Sequence, residues 1–440
     1  MRKTLLRSAF IGFIVILLVL IISCQKWVRN SSRSAETNIH LVSDSAANAI
    51  AINFNPSVLL DEANAGNHSP FRYLLHGQNK VKNKIIINDT YGVPALYVFN
   101  FENNAGFIFV SADYQMKPLM AYIERGEFKN NMKMPEGLQM WLNKTIENFE
   151  LVRRSLYDNQ KVAAAAWKNY FKSNGSSTNV SAAGLRVITA GAPPPPPPNP
   201  CDPPADPTYY TTGPLLPVTW GQLCTYNESC DLTHTYSCGN SCSNTRPATG
   251  CVATSMAQII RYYQFPTSAY GYSTMPTTSG DSAVERLMSN VGVSVSMAYG
   301  CSSSAYGTSV EPSFKTTFGY SSANRSAYTR SDYDSYSEIE DNLFNYSWPV
   351  IFQGYDDSYG GHQWVCDGCN LATYYICSGG VVSETALLFH INWGWHEVII
   401  DNVDFNGWFN FDDWTVYGAG SGSSNINFQY YNYAVTEIHP

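Results

Sequence analysis

Apolar and polar positions follow several different rhythms along this chain. Arg2, Lys3 and Arg7 precede an almost unbroken apolar run from Ala9 to Ile22, shorter than the roughly 20 residues needed to span a bilayer comfortably. Leu96 to Phe101 and Gly106 to Val110 are rich in branched and aromatic residues, with Glu102-Asn103-Asn104-Ala105 between them. That pattern predicts two strands joined by a turn. Leu138, Trp141, Leu142, Ile146, Phe149 and Leu151 recur at helical spacing and predict one apolar helix face. Val252, Met256, Ile259 and Tyr263 repeat the spacing until Pro266 stops it. Strands are expected again after His362 and from Leu387 through Asn392 and Trp393.

Between these segments the composition shifts. Residues 25 to about 55 are rich in Ser, Asn and Ala without sustained periodicity, Ser173 to Ala182 is rich in Ser, Asn and Gly, and Pro193 to Pro198 are six consecutive prolines. A proline run stays extended and cannot enter a core, so it marks a linker exposed to proteolysis. The expected order is a signal over 1–23, a tether over 24–59, a small α+β domain over 60–160, a linker with the maturation site over 161–200, and a second domain over 201–440. The basic start, the apolar run and the small residue before Cys24 have the form of a secretory signal. Cys24 directly after the cut resembles the lipobox of bacterial lipoproteins, which implies lipidation of Cys24 and a membrane anchor at the cell envelope. The alternative is a membrane-spanning helix, and both place the rest of the chain outside the cytoplasm.

Composition sharpens this picture in two places. A net charge of −8 offers no basic footprint, so nucleic acid is not an expected partner. Of 11 cysteines, nine remain when Cys24 and Cys251 are set aside. Outside the cytoplasm they are expected in disulfides, with at least one left over and the connectivity open. Cys238-x3-Cys242 with Cys366-x2-Cys369 also has the look of a zinc site, but the spacing is loose.

The chemistry concentrates in the C-terminal half. Cys251 opens the helix that Thr249 can cap, where unsatisfied N–H groups and the helix dipole favour thiolate over thiol. His362 follows Gly360-Gly361 at the mouth of a strand, from which a histidine can exchange protons with a thiol across a cleft. Asn392 lies on the strand face opposite Ile391 and Trp393. It can accept from an imidazole N–H and fix the ring, with Trp393 shielding that bond from water. Gln222, in Trp220-Gly221-Gln222, can supply an oxyanion-hole donor beside the Cys251 N–H. His390 shares the Asn392 face and is the competing base. The chain order Gln, Cys, His, Asn is that of papain-like peptidases.

These stretches, together with Val291-Gly292-Val293-Ser294-Val295, Tyr299-Gly300, Gln353-Gly354 and Ile391-Asn392-Trp393-Gly394-Trp395, resemble the streptopain family of cysteine peptidases. Tyr97 to Phe128, with Gly106-Phe107-Ile108-Phe109-Val110-Ser111-Ala112-Asp113, resembles the family's inhibitory propeptide. The resemblance implies an α+β chain: a papain-like peptidase domain, built of a helical and an antiparallel β subdomain, behind a small α+β propeptide domain. It implies endopeptidase activity on proteins or peptides without a cofactor, and the chain's own propeptide as its inhibitor. It assigns Cys251 as nucleophile, His362 as catalytic His, Gln222 as oxyanion donor, and Asn392 and Trp393 as the residues orienting and covering the His. The family's propeptide packs against the cleft and holds the His region out of register, and Gly418-Ala419-Gly420-Ser421-Gly422 looks like its mobile cleft loop. Gln363 departs from the small residue usual there, and His396-Glu397 from glycines. A catalytically silent surface lipoprotein on the same fold, and amide-transfer chemistry on the same residues, are the competing readings.

Overall fold

In the computed structural model of this chain, described residues are 40–54, 56–59, 80–153, 163, 166–167, 208–238, 245–327, 333–356, 360–377, 381–395, 405–410 and 433–440. Cys24, the apolar run, the proline run, His396-Glu397 and Gly418 to Gly422 lie outside them. Among the described residues no helix is long and apolar enough to cross a membrane.

The leader starts earlier than its composition suggests. Helix α1 (Asp44–Asn53) is capped by Ser43, whose Oγ accepts from the Ala46 N–H at 3.2 Å. Ala46, Ala47, Ile50 and Ala51 fall on one helix face and are buried with Tyr97, Phe99 and Phe101. The tether expected over 24–59 therefore has a packed helix in its second half. Small alanines hide this in the sequence, because they fit a tether and a close-packed helix equally well. At the other end Trp167 is fully buried and donates from Nε1 to the Met116 carbonyl at 2.7 Å. The expected linker over 161–200 thus opens with residues that belong to the leader's core.

The predicted strands are present as β2 (Pro94–Phe101) and β3 (Phe107–Ser111), preceded by β1 (Val81–Asn88) and followed by β4 (Leu119–Ile123). The β2–β3 turn places Asn103 and Asn104 at φ 59° and 56°, a left-handed region asparagine tolerates. Helix α2 (Glu136–Arg153) buries Leu138, Trp141, Leu142 and Phe149 as the periodicity requires. Its last residue, Arg153, is partly buried and pairs with Asp89 and Asp113 at 2.6 and 3.0 Å. This network ties the helix C-terminus to the strand ends.

After 207 the chain adds β5 (Thr208–Thr212), then the helices α3 (Cys251–Tyr263) and α4 (Ser282–Ser294), which pack on each other around Met256, Ile260, Leu287 and Val291. The rest is mostly antiparallel sheet: β6 (Ser322–Ala327), β7 (Val350–Asp356), β8 (Gly360–Cys377), β9 (Val381–Asn392), β10 (Gly407–Asn410) and β11 (Tyr433–His439), with α5 (Tyr333–Tyr346) between β6 and β7. The strand order β1-β2-β3-β4-β10-β9-β8-β7-β11-β6 is one continuous sheet, and β5 pairs on β8. Leader strand β4 pairs antiparallel with β10 in the register Gly407↔Ile123, Trp408↔Tyr122 and Phe409↔Ala121. The two expected domains therefore share a sheet and a core. Leu138, Trp141 and Phe109 of the leader are buried in the same cluster as Phe389, Ile391, Trp393 and Phe409.

Candidate active site

The helix that opens with Cys251 is preceded by a glycine. Gly250 occupies the cap position at φ 86°, and a Cβ there would come within 2.9 Å of Met297. Thr249 does not cap. Its buried hydroxyl pairs with Thr254 Oγ1 at 2.8 Å instead, because the left-handed glycine carries the chain into the helix one residue later than expected. Cys251 is then the first helical residue, and its N–H has no acceptor within the helix. The preceding turn is braced by Ser303, which donates to the Ala248 carbonyl at 2.6 Å, and a Cys238–Cys301 disulfide fixes that loop. Cys224 is also disulfide-bonded. Cys251, partly exposed, remains a thiol, as do the buried Cys230, Cys366 and Cys369.

The facing histidine comes from the sheet. His362 lies on β8 opposite Gly354 of β7, and its ring is stacked at 5.9 Å on Trp364, two residues along the same face. Cys251, His362 and Gln222 line one cleft of about 880 Å³. The imidazole pairs with the Glu136 carboxylate, Nδ1 to Oε2 at 3.3 Å, and the Cys251 sulfur is close enough to act on its charge. Burial of the ring disfavours its charged form. The Cys251 sulfur and Glu136 outweigh that and push the His362 pKa up to about 10. Glu136 is the first residue of α2, so the leader contributes a carboxylate to the centre of the site. Gly137 follows it tightly, since a Cβ there would lie 2.4 Å from the Trp393 ring and 2.9 Å from His362.

Two sequence expectations change here. Asn392 does not bond the His362 ring in this structure. Its Oδ1 accepts from Gln258 Nε2 and from the Gly394 N–H, both at 3.1 Å, and its Nδ2 donates to the Val218 carbonyl at 2.8 Å. Asn392 thus bolts α3 to the sheet and pins the turn after β9, where Gly394 sits at φ 65°. That turn brings the Trp393 carbonyl to 3.4 Å from His362 Nε2, so a backbone oxygen takes the position expected of the amide. With the leader docked, the His362 ring still interacts with the Cys251 sulfur. The leader engages it in place.

The remaining residues are placed as follows. Gln222 reaches the Gly394 carbonyl at 3.4 Å through Nε2, and its own carbonyl accepts from the Thr249 N–H. Gln222 lines the cleft together with Cys251. Trp393 is fully buried under the His, in contact with Trp364 and Phe409 at 5.4 and 5.2 Å. Gln363 does not narrow the cleft mouth. It is buried beneath, donating to Ser255 Oγ at 2.6 Å and accepting from Gln353 Nε2 at 2.9 Å. His390 is remote from Cys251 in function: its Nδ1 lies 2.6 Å from the buried Asp367 and its ring packs on Trp408. It does not line the cleft. Glu136 and Trp364 escape sequence reasoning. A Trp two residues beyond His362 was the one available signal.

A thiol at a helix N-terminus facing an imidazole on an antiparallel sheet, beside an amide donor, defines an α+β, papain-like cysteine peptidase fold with a small α+β leader still docked. The family comparisons fall in the same two regions. Residues 220–282 and 269–399 match the peptidase C10 family, and residues 39–149 match the Spi protease inhibitor family. The chain is 24% identical to streptopain of Streptococcus pyogenes over 458 aligned positions, covering 94% of this chain and 93% of that one. It is 25% identical to the thiol protease/hemagglutinin PrtT of Porphyromonas gingivalis, over 68% of this chain and 32% of that one. A solved fragment of prointerpain A from Prevotella intermedia is similar at 20% identity and a TM-score of 0.49, covering 81% of this chain and 99% of the fragment.

Proposed function

We propose that this chain is the zymogen of an exported cysteine endopeptidase whose leader occupies the active site until it is cut away. The observation that carries the reading is the sharing of one imidazole. His362 interacts both with Cys251 and with the leader's Glu136, 3.3 Å from its Nδ1. A carboxylate on the catalytic base neutralises the proton that the reaction must move, and α2 stands where substrate would enter.

With the leader gone, the chemistry is acyl transfer. The Cys251 thiolate forms a C–S bond to the carbonyl carbon of a peptide. The Cys251 N–H and the Gln222 amide donate to the oxyanion. His362 gives its proton to the amine nitrogen as the C–N bond breaks, leaving a thioester. Water then attacks the thioester, His362 takes its proton, and the acid and the thiolate are released. The Trp393 carbonyl, held by the Asn392 turn, steadies the ring through Nε2. The chain reaches the envelope through the signal over 1–23 and is held there by lipid on Cys24. A cut after Trp167, within the proline-rich linker, separates leader from peptidase.

The test uses residues 24–440 beside Cys251→Ala. The unaltered chain is expected to shorten with time and then to be labelled at Cys251 by the thiol-directed inhibitor E-64, whereas the variant stays whole. A matured chain that hydrolyses no peptide and takes up no inhibitor removes the assignment. Palmitate incorporation that is lost on Cys24→Ala checks the anchor.

A further inference from the structure

The cleft continues well past the nucleophile, across β7 and β11 to the edge strand β6. At that far end Arg325 of β6 lies face-on to Tyr433, its guanidinium carbon 3.4 Å from the ring centroid. Its Nε donates to Gln353 Oε1 at 2.9 Å. Gln353 is itself held, donating to Gln363 and to the Gly307 carbonyl. Gly307 permits this closeness, since a Cβ there would fall 2.4 Å from Gln353 Oε1. The guanidinium is thus fixed by stacking and by one N–H. Among the described residues its two terminal nitrogens have no hydrogen-bond partner.

The charge balance of the cleft gives this weight. Lys133 and Glu136 belong to the leader and depart with it. Of the described residues then lining the cleft, Arg325 is the only arginine or lysine, and no aspartate or glutamate remains. The nearby Glu311 lies outside the cleft lining: one carboxylate oxygen is bonded to Lys315 at 2.9 Å, the other accepts from the Arg325 main-chain N–H at 3.2 Å, and its charge also acts on the Arg325 side chain. A pre-positioned guanidinium with both terminal nitrogens open matches the two oxygens of a carboxylate.

Building on the endopeptidase reading above, we propose that Arg325, seated on Tyr433 and Gln353, is a specificity residue whose subsite takes a glutamate or aspartate side chain of the substrate. Three strand spacings of about 4.8 Å separate β8 from β6, and an arginine reaches back roughly 6 Å, leaving on the order of two to three residues of extended peptide to the scissile bond.

The experiment uses the matured full chain and C-terminally amidated peptides, which remove the only other peptide carboxylate. Pairs differing by Glu against Gln are compared at each position flanking the cut. The unaltered enzyme is expected to favour Glu by about tenfold or more in kcat/KM at one position, and that ratio falls as salt rises. Arg325→Gln brings the ratio near one, and Arg325→Glu turns the preference toward Lys at the same position. Cleavage with a ratio near one throughout, or a Glu preference that survives Arg325→Gln, overturns the assignment while leaving the peptidase intact. Should Arg325→Gln not fold, the salt dependence and Arg325→Glu carry the decision. A matured chain that cuts none of the peptides fails at the level of the proposed function and ends this inference with it.

Discussion

At Glu136 a hydrogen bond from His362 holds the carboxyl below its ordinary 4.5, while burial works in the opposite direction. The pair therefore has a pH window with two edges. Glu136, whose folded value is depressed, contributes fully above 4.5, and that contribution is lost as pH falls through the depressed value. His362, raised to about 10, contributes fully below its ordinary 6.5, and that is lost as pH rises through the raised value. The Cys251 share of the His362 shift outlasts the leader, so the latency of the uncut chain follows the Glu136 edge and is expected to hold above about pH 4.5 and to loosen below it. The rate of E-64 labelling of full-length protein across pH reads this directly. Glu136→Gln should remove the acid edge and raise the labelling rate several-fold at pH 6. Unchanged labelling would show that the carboxylate is a bystander. At this scale the sequence named Cys251, His362 and Gln222, and the structure brings the three to one cleft. The sequence was misleading about Asn392, since alternation along a strand tells which face a side chain occupies and not which donor it meets there.

Among the elements, α2 carries the leader's contact with His362, and its first turn has no spare room. A β-branched side chain at position 137 would collide with Trp393 and the imidazole. Gly137→Val is expected to lift the start of α2 off the site at a cost of about 1–3 kcal/mol of overpacking. Its readout is peptide hydrolysis by the uncut chain, which should rise at least several-fold over the parent. Continued latency would mean that strand contacts alone keep the cleft closed. The strands β2 and β3 and the helices α2 and α3 were legible because their apolar residues repeat at one period over enough length. Helix α1 was not, because its buried face is mostly alanine. The cap of α3 was misread by one residue, because a left-handed glycine, not the neighbouring threonine, begins it.

Across the molecule, aromatic contacts run unbroken from leader to base: Phe109 to Trp141, Trp141 to Phe409, Phe409 to Trp393, Trp393 to Trp364, and Trp364 to His362. No sequence pattern announced this, because the apolar rhythm of a strand or helix does not name the element packed on it. The seam between β4 and β10 is equally silent in the sequence, yet it closes around Gly407, where a Cβ would stand 2.2 Å from the Tyr122 carbonyl. Gly407→Val should loosen the docked leader by about 1–3 kcal/mol and leave the matured peptidase active, since the clashing carbonyl leaves with the leader. Faster amide exchange at Tyr122 and Ile123 with normal activity after maturation is the expected pair of results. Loss of activity in the matured variant would place Gly407 in the peptidase's own stability instead.

The continuous sheet also separates two events that are easily treated as one. Severing the connection after Trp167 breaks a covalent bond, yet every main-chain bond along β4 and β10 and the whole shared core survive the cut. A nicked molecule is therefore a non-covalent complex of two fragments. Its awakening follows the rate at which the smaller fragment peels off or is digested, so the onset of turnover should lag behind the scission.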